Sequence, residues 1–308
     1  MRAELDWPVL PRKALRSGEQ RRREARGGRQ RRTGSAFNAL STYELILPLV
    51  LTRYSVGALP TSIGSAIWET RSSTSIGIVA SKLCQHGAEQ RILLACDSSS
   101  VAVDTTKRYI ARFTEKEKET VDDTEKKSSD ILFDAFVSDP SLKDEETDSS
   151  FLQDVTAAYE KLMSKESDQQ DNSTVKFEKG IAGIVVMVFV LSAVTPPRVD
   201  RFLEQVYETT TPGGLLCFRD YGLFDMPMLR FDDDANVACS TDISEDQCFV
   251  RGEGTIARFF STESTKQLFE LAGFETIECR YCTVFNNNRK TGQQLKRVFV
   301  HGVFKKPI

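Results

Sequence analysis

A chain of 308 residues, 40% of them hydrophobic, is long enough to bury one sizeable core. Its longest apolar run, Ile184 to Leu191, has strand length and falls well short of the roughly 18 residues of a membrane-spanning helix, so a soluble protein without a membrane partner is expected. The net charge of −3 conceals a strongly basic beginning.

Arg21, Arg22, Arg23, Arg26, Arg29, Arg31 and Arg32 crowd the first forty residues. Such a run can hold phosphates. Glu4, Asp6, Glu19 and Glu24 argue against an acid-poor transit peptide. Residues 1–40 are therefore expected to be a disordered basic tail, and 41–308 one domain. Residues 37–90 hold apolar pieces, Tyr43–Leu51 and Ile76–Leu83, separated by Ser, Thr, Gly and Pro, and do not read clearly.

From Arg91 the pattern sharpens. Ile92 to Cys96 is a buried strand ending at Asp97, and Ser99 to Phe113 has helical length. Residues 114–130 are charged and polar, an exposed loop or helix extension. Ile131 to Val137 is a strand ending near Asp139. The acidic stretch 141–179 reads as a solvated insertion with a helix over Phe151–Met163. Ile184 to Val190, rich in β-branched residues, is the clearest strand. Thr195-Pro196-Pro197 opens a helix to Thr209, since proline suits a first helical turn. After Pro212-Gly213-Gly214, Leu215–Phe218 is a strand. A helix over Thr262–Ala272 ends at Gly273, and strands over Glu275–Phe285 and Leu295–Phe304 flank an asparagine turn.

Alternating helices and continuously apolar strands imply a parallel α/β sheet covered on both faces, closed by an antiparallel hairpin. The cysteines form no regular framework, and several sit in strand-like runs as small hydrophobes, which points to a reducing, cytoplasmic setting, with nucleus or mitochondrion as alternatives. Cys279-x-x-Cys282 lacks the further ligands of a zinc site, so no metal is expected.

Ligands of open α/β sheets bind beyond the carboxyl ends of the strands, which singles out Asp97 and Asp139. A carboxylate after the second strand can accept from both ribose hydroxyls of a nucleoside cofactor, and one after the third from an adenine amino group. Either residue also suits a plain helix cap. A glycine turn should accompany them. The nearest candidate is Glu69 to Gly77, in which Arg71, Ser73 and Ser75 occupy the positions glycine would fill. A second cluster, Phe218-Arg219-Asp220-Tyr221-Gly222 through Arg230-Phe231, gathers charges and aromatics at a strand end. It can grip the edge and face of a nucleobase, or form a salt-bridge cluster. Phe249-Val250-Arg251-Gly252 adds an arginine on a turn.

Val188-Phe189-Val190-Leu191-Ser192-Ala193-Val194, Pro212-Gly213-Gly214, Arg219-Asp220-Tyr221-Gly222, Met228-Leu229-Arg230-Phe231 and Phe249-Val250-Arg251-Gly252, in that order, closely resemble the methyltransferase-like enzymes that make 3-methylcytidine in the tRNA anticodon loop. The likeness runs from about Leu94 to Phe304. It implies a class I Rossmann-like methyltransferase sheet, mostly parallel with an antiparallel C-terminal hairpin strand. It also implies S-adenosylmethionine as cofactor, tRNA as substrate, and a tRNA synthetase or other tRNA-binding protein as partner. By position it assigns Asp97, Asp139 and Val188 to the cofactor, and the candidate turn adds Glu69 and Gly77. Arg219, Asp220 and Tyr221 fall to the cytosine pocket, Asp220 stabilising the cationic product, and Arg230 and Arg251 to RNA. The altered glycine positions and an acidic-to-Gly183 change set the chain apart from the family pattern. Two other functions fit the residues: a non-catalytic relative that binds RNA or a partner, and a protein methyltransferase.

Overall fold

The computed structural model describes residues 49–53, 91–120, 131–142, 149–164, 180–231, 236–237, 246–252, 254–287, 292 and 294–308. They belong to one compact unit, Glu44–Ile308. The basic tail, Glu69 and Gly77 lie outside the described residues.

The main sheet has seven strands: β1 (Leu49–Arg53), β2 (Arg91–Asp97), β3 (Ile131–Val137), β4 (Ala182–Val188), β5 (Thr210–Tyr221), β9 (Glu275–Asn287) and β10 (Gln294–Lys305), in the order β3-β2-β1-β4-β5-β10-β9. The pairs β2/β3 and β4/β5 are parallel, and β10 is inserted antiparallel between β5 and β9. Five strands thus point one way, as expected, with the closing hairpin where the sequence places it.

The central strand departs from that reading. β1 runs antiparallel to both neighbours, with Leu49 opposite Cys96, Arg53 opposite Ile92 and Thr52 opposite Ile184. It therefore begins at the sheet edge that carries Asp97 and ends at the opposite edge.

Helices α1 (Ser100–Thr120), α2 (Phe151–Met163), α3 (Val199–Thr209) and α4 (Thr262–Leu271) pack beside the sheet. The helix proposed to end near Phe113 continues to Thr120. α2 begins at Ser150 because a capping box satisfies its first amides: Gln153 N donates to the Ser150 hydroxyl, and Ser150 N donates to the Gln153 side chain. α4 stops where expected, at Gly273, whose φ of +97° is the left-handed geometry glycine adopts freely.

One face of the sheet (Leu94 and Cys96 of β2, Val185 and Met187 of β4, Leu216 and Phe218 of β5) forms the main core with α2, α3 and α4. Phe218 meets Phe269 edge-on at 5.1 Å, and Phe269 stacks on Phe304 at 4.1 Å. Burying each such ring contributes roughly 1.5–3 kcal/mol.

A second sheet escaped the sequence reading: β6 (Asn236–Val237), β7 (Gln247–Val250) and β8 (Ile256–Phe259), all antiparallel. Its Phe249 and Phe259 pack with Leu223, Tyr221 and Phe231, fastening the loop after β5 to it. Cys248 of β7 is disulfide-bonded, whereas Cys96 and Cys217 are free and buried within strands, as expected of small hydrophobes, and Cys279 and Cys282 are free. The described residues contain no cluster of His, Cys, Asp and Glu able to hold a metal, and no described helix is long and apolar enough to cross a membrane.

Candidate functional site

The carboxyl ends of β3 and β2, and of β4 and β5 across β1, lie at one edge of the sheet, bringing Asp97, Asp139, Val188 and Tyr221 there. Asp97 Oδ1 accepts a hydrogen bond from Ser99 N at 2.8 Å, so part of this carboxylate does turn the chain into α1. Burial raises its pKa, with a further upward push from the nearby charge of Asp139. Asp139 Oδ1 accepts from Ser141 N and from the Ser141 hydroxyl, at 2.9 and 2.6 Å. Among the described residues the second oxygen of each carboxylate accepts no hydrogen bond. A cavity of about 430 Å³ opens beside them, lined by Ser98, Ser138, Asp139, Phe151, Asp154 and Arg201.

The side chains of Arg219, Asp220 and Tyr221 do not share one face of β5. Successive strand residues point to opposite faces, and the contacts follow that rule. Asp220 turns toward the short helical turn Leu191–Ala193 and is fully buried, its Oδ2 accepting from Ser192 N and its Oδ1 from Tyr221 N, both at 2.9 Å. Burial pushes its carboxyl up to about 6, against the pull of those hydrogen bonds and the Arg251 charge. Asp220 is thereby held by the backbone amides of Ser192 and Tyr221.

Arg219 and Tyr221 share the other face. The Arg219 guanidinium lies 4.5 Å from the centre of the Phe299 ring and 5.9 Å from that of Phe189, and burial lowers its pKa, with Arg297 lowering it further. Phe189 follows directly after β4 and stacks on Tyr221 at 4.9 Å. Its φ of +54° is strained for an aromatic residue. Arg297 spans Tyr221 and Phe299 at 5.8 and 5.1 Å, fixed by a carboxylate pair with Asp225 at 3.1 Å. Asp225 belongs to the cluster noted in sequence, but Phe189, Phe299 and Arg297 were not singled out there. Phe189 stood inside a motif already noted, but Arg297 looked like any hairpin charge.

Arg230 is exposed, contacting Met226 Sδ at 3.2 Å, and remains available to a ligand. Arg251 is half-buried and donates to Ile256 O at 3.2 Å, so its first task is to close the turn between β7 and β8. Val188 is buried at the end of β4, and Phe189 N donates to Arg219 O at 2.8 Å.

Comparison with known proteins places this geometry in context. No family model matches. The chain is 37% identical over 138 residues to the tRNA N(3)-methylcytidine methyltransferase Mettl2 of Drosophila melanogaster, covering 45% of this chain and 40% of that protein. The likeness is to tRNA N(3)-cytidine methyltransferases. Human METTL6, named as one, is 37% identical over 124 residues, covering 40% of this chain and 41% of its own. O-methyltransferase 3 of Dictyostelium discoideum is 35% identical over 125 residues, covering 41% and 28%. The chain thus spans less than half the length of these relatives. A methyltransferase structure from Methanosarcina mazei aligns at a TM-score of 0.36 and 16% identity, over 70% of this chain and 82% of its own. The resemblance read from the motifs agrees with the names these sequence relatives carry.

Asp97 and Asp139 fit the nucleoside half of S-adenosylmethionine, each offering an oxygen at the same sheet edge. The methionine half finds no glycine turn among the described residues. β1 ends at the far edge, with Arg53 opposite Ile92 rather than beside Asp97.

Proposed function

We propose that this chain transfers a methyl group from S-adenosylmethionine to N3 of a cytidine in a tRNA anticodon loop. The observation that carries the reading is the Phe189–Tyr221 stack flanked by Arg219 and Arg297, at the same sheet edge as the carboxylates Asp97 and Asp139. S-adenosylmethionine would supply an electrophilic sulfonium methyl. Cytosine N3 carries a lone pair and no proton at neutral pH, so the protein needs no strong base. Its contribution is orientation. Aromatic rings at Phe189 and Tyr221 hold a base by its face, and Arg219 supplies a donor to its edge. Asp220 keeps Ser192 and Tyr221 in register beneath it. A tRNA synthetase or another tRNA-binding protein is the expected partner, and the cytoplasm the expected setting.

A second reading, a non-catalytic relative that binds RNA, is favoured by the direction of β1. Calorimetric titration of S-adenosylmethionine separates the two. Micromolar binding, followed by 3-methylcytidine in tRNA after incubation, supports catalysis. Absence of binding by a chain with intact circular dichroism overturns it and leaves the RNA-binding reading.

A further inference from the structure

Between β5 and the small sheet the chain makes a tight loop, Gly222 to Phe231, whose two kinds of residue contrast sharply. Leu223 is buried, and its amide donates to Phe260 O at 2.9 Å. Asp225 is fully buried. It accepts from Val298 N at 3.0 Å and pairs with Arg297, while its own carbonyl accepts from Met228 N at 2.9 Å. Between these two anchors stands Phe224, 69% exposed and with a φ of +65°. Leu229, 63% exposed, and the exposed Arg230 follow within the same loop.

Phe224 is placed against its own interest. An aromatic side chain in the left-handed region is strained, and glycine would occupy the position without cost. In water its ring gains nothing from burial. Both flanking residues are locked, so the backbone cannot relax and the ring is held outward. The lock is shared with the site, because Arg297, fixed by Asp225, lies over Tyr221. A rigidly projected aromatic ring with an aliphatic neighbour and the exposed cation of Arg230 has the chemistry that stacks an unpaired nucleobase while neutralising its phosphate.

We infer that Phe224 is a stacking residue for an unpaired RNA nucleotide adjacent to the base held at Tyr221, with Arg230 on the neighbouring phosphate. This rests on the RNA-directed reading above. Phe224→Gly, Phe224→Ala and Phe224→Trp would be titrated against a fluorescently labelled tRNA anticodon stem-loop, with thermal melting alongside. Loss of one stacked base corresponds to affinity weakened on the order of tenfold. We expect that loss in Phe224→Gly and Phe224→Ala and near-normal affinity in Phe224→Trp, with Phe224→Gly melting no lower than the parent chain. Affinity of Phe224→Gly within twofold of the parent overturns the inference alone and leaves the ring to a protein partner. A parent chain that does not bind the stem-loop overturns both this inference and the RNA-directed reading.

Discussion

Asp220 and His301 sit on adjacent strands with opposite protonation preferences. Burial raises the Asp220 carboxyl from its ordinary value near 3.8 to about 6 and lowers the His301 imidazole from 6.5 to about 3, the charges of Arg219 and Arg280 adding to the latter. The folded state thus holds a proton on Asp220 that the unfolded chain has released, and stability from this group falls as pH rises from 4 to 6. His301 works the other way. The unfolded chain protonates it below 6.5 while the folded chain does not, so its contribution rises over the same window. The two slopes oppose one another in the parent chain. Asp220→Asn removes the falling one, and its stability relative to the parent should climb by about 2 kcal/mol between pH 4 and pH 6. Urea unfolding at pH 4, 5 and 6 reads this directly. A constant difference would mean that Asp220 is not the proton-binding carboxyl. In the same variant, methylation should fall while binding of S-adenosylmethionine persists, since Asp220 holds Ser192 and Tyr221 rather than the cofactor. Equal loss of both would make it a general structural residue.

At the scale of elements, periodicity made most of the chain after Arg91 legible. α2 follows its apolar pattern and capping residues, and α4 ends at its glycine, because these signals are local. The small sheet was hidden for the opposite reason. Its strands are only two to four residues long, and what fastens it is a long-range ion pair that looks like two ordinary surface charges in sequence. Asp246 and Arg258 are fully buried and meet at 2.8 Å, and the Arg258 guanidinium lies 4.9 Å from the centre of the Phe260 ring. Asp246 also accepts from Ser261 N at 2.9 Å and from the Ser264 hydroxyl, tying β7 to the start of α4. Removing one partner leaves a buried charge uncompensated, which costs about 3–5 kcal/mol, whereas replacing both by apolar residues of similar volume is often neutral. Asp246→Ala should therefore lose about 3–5 kcal/mol in urea unfolding, and Asp246→Leu with Arg258→Met should recover most of it. A cost below about 1 kcal/mol for Asp246→Ala would show that water reaches the pair. The site was legible in the same uneven way. Strand-end carboxylates follow from a general rule of α/β sheets, but whether Arg219, Asp220 and Tyr221 face one pocket depends on side-chain alternation against neighbours far away in sequence.

The whole molecule turns on β1. It alone joins the pair β3-β2 to the four strands β4-β5-β10-β9. Its direction decides what stands beside Asp97, and no local signal sets that direction. Residues 37–90 offer several short apolar pieces of similar strength, and the slot between β2 and β4 accepts a strand through backbone hydrogen bonds that either polarity can make. The consequence for function is direct. Asp97, Asp139 and the Phe189–Tyr221 stack share one sheet edge, while the carboxyl end of β1 lies at the other. Proline in such a strand removes a ladder hydrogen bond and is tolerated only at sheet edges. Because β1 is paired on both sides, Thr52→Pro should cost on the order of 1–3 kcal/mol for the ladder group left unpaired and lower the protection of β2 and β4 amides together in hydrogen exchange. Protection of β5, β10 and β9 should change less, since their ladders do not include β1. A neutral Thr52→Pro would show that Leu49–Arg53 does not hold the centre of the sheet in solution. The slot would then be free for a parallel strand, whose carboxyl end emerges beside Asp97 as binding of the methionine half requires.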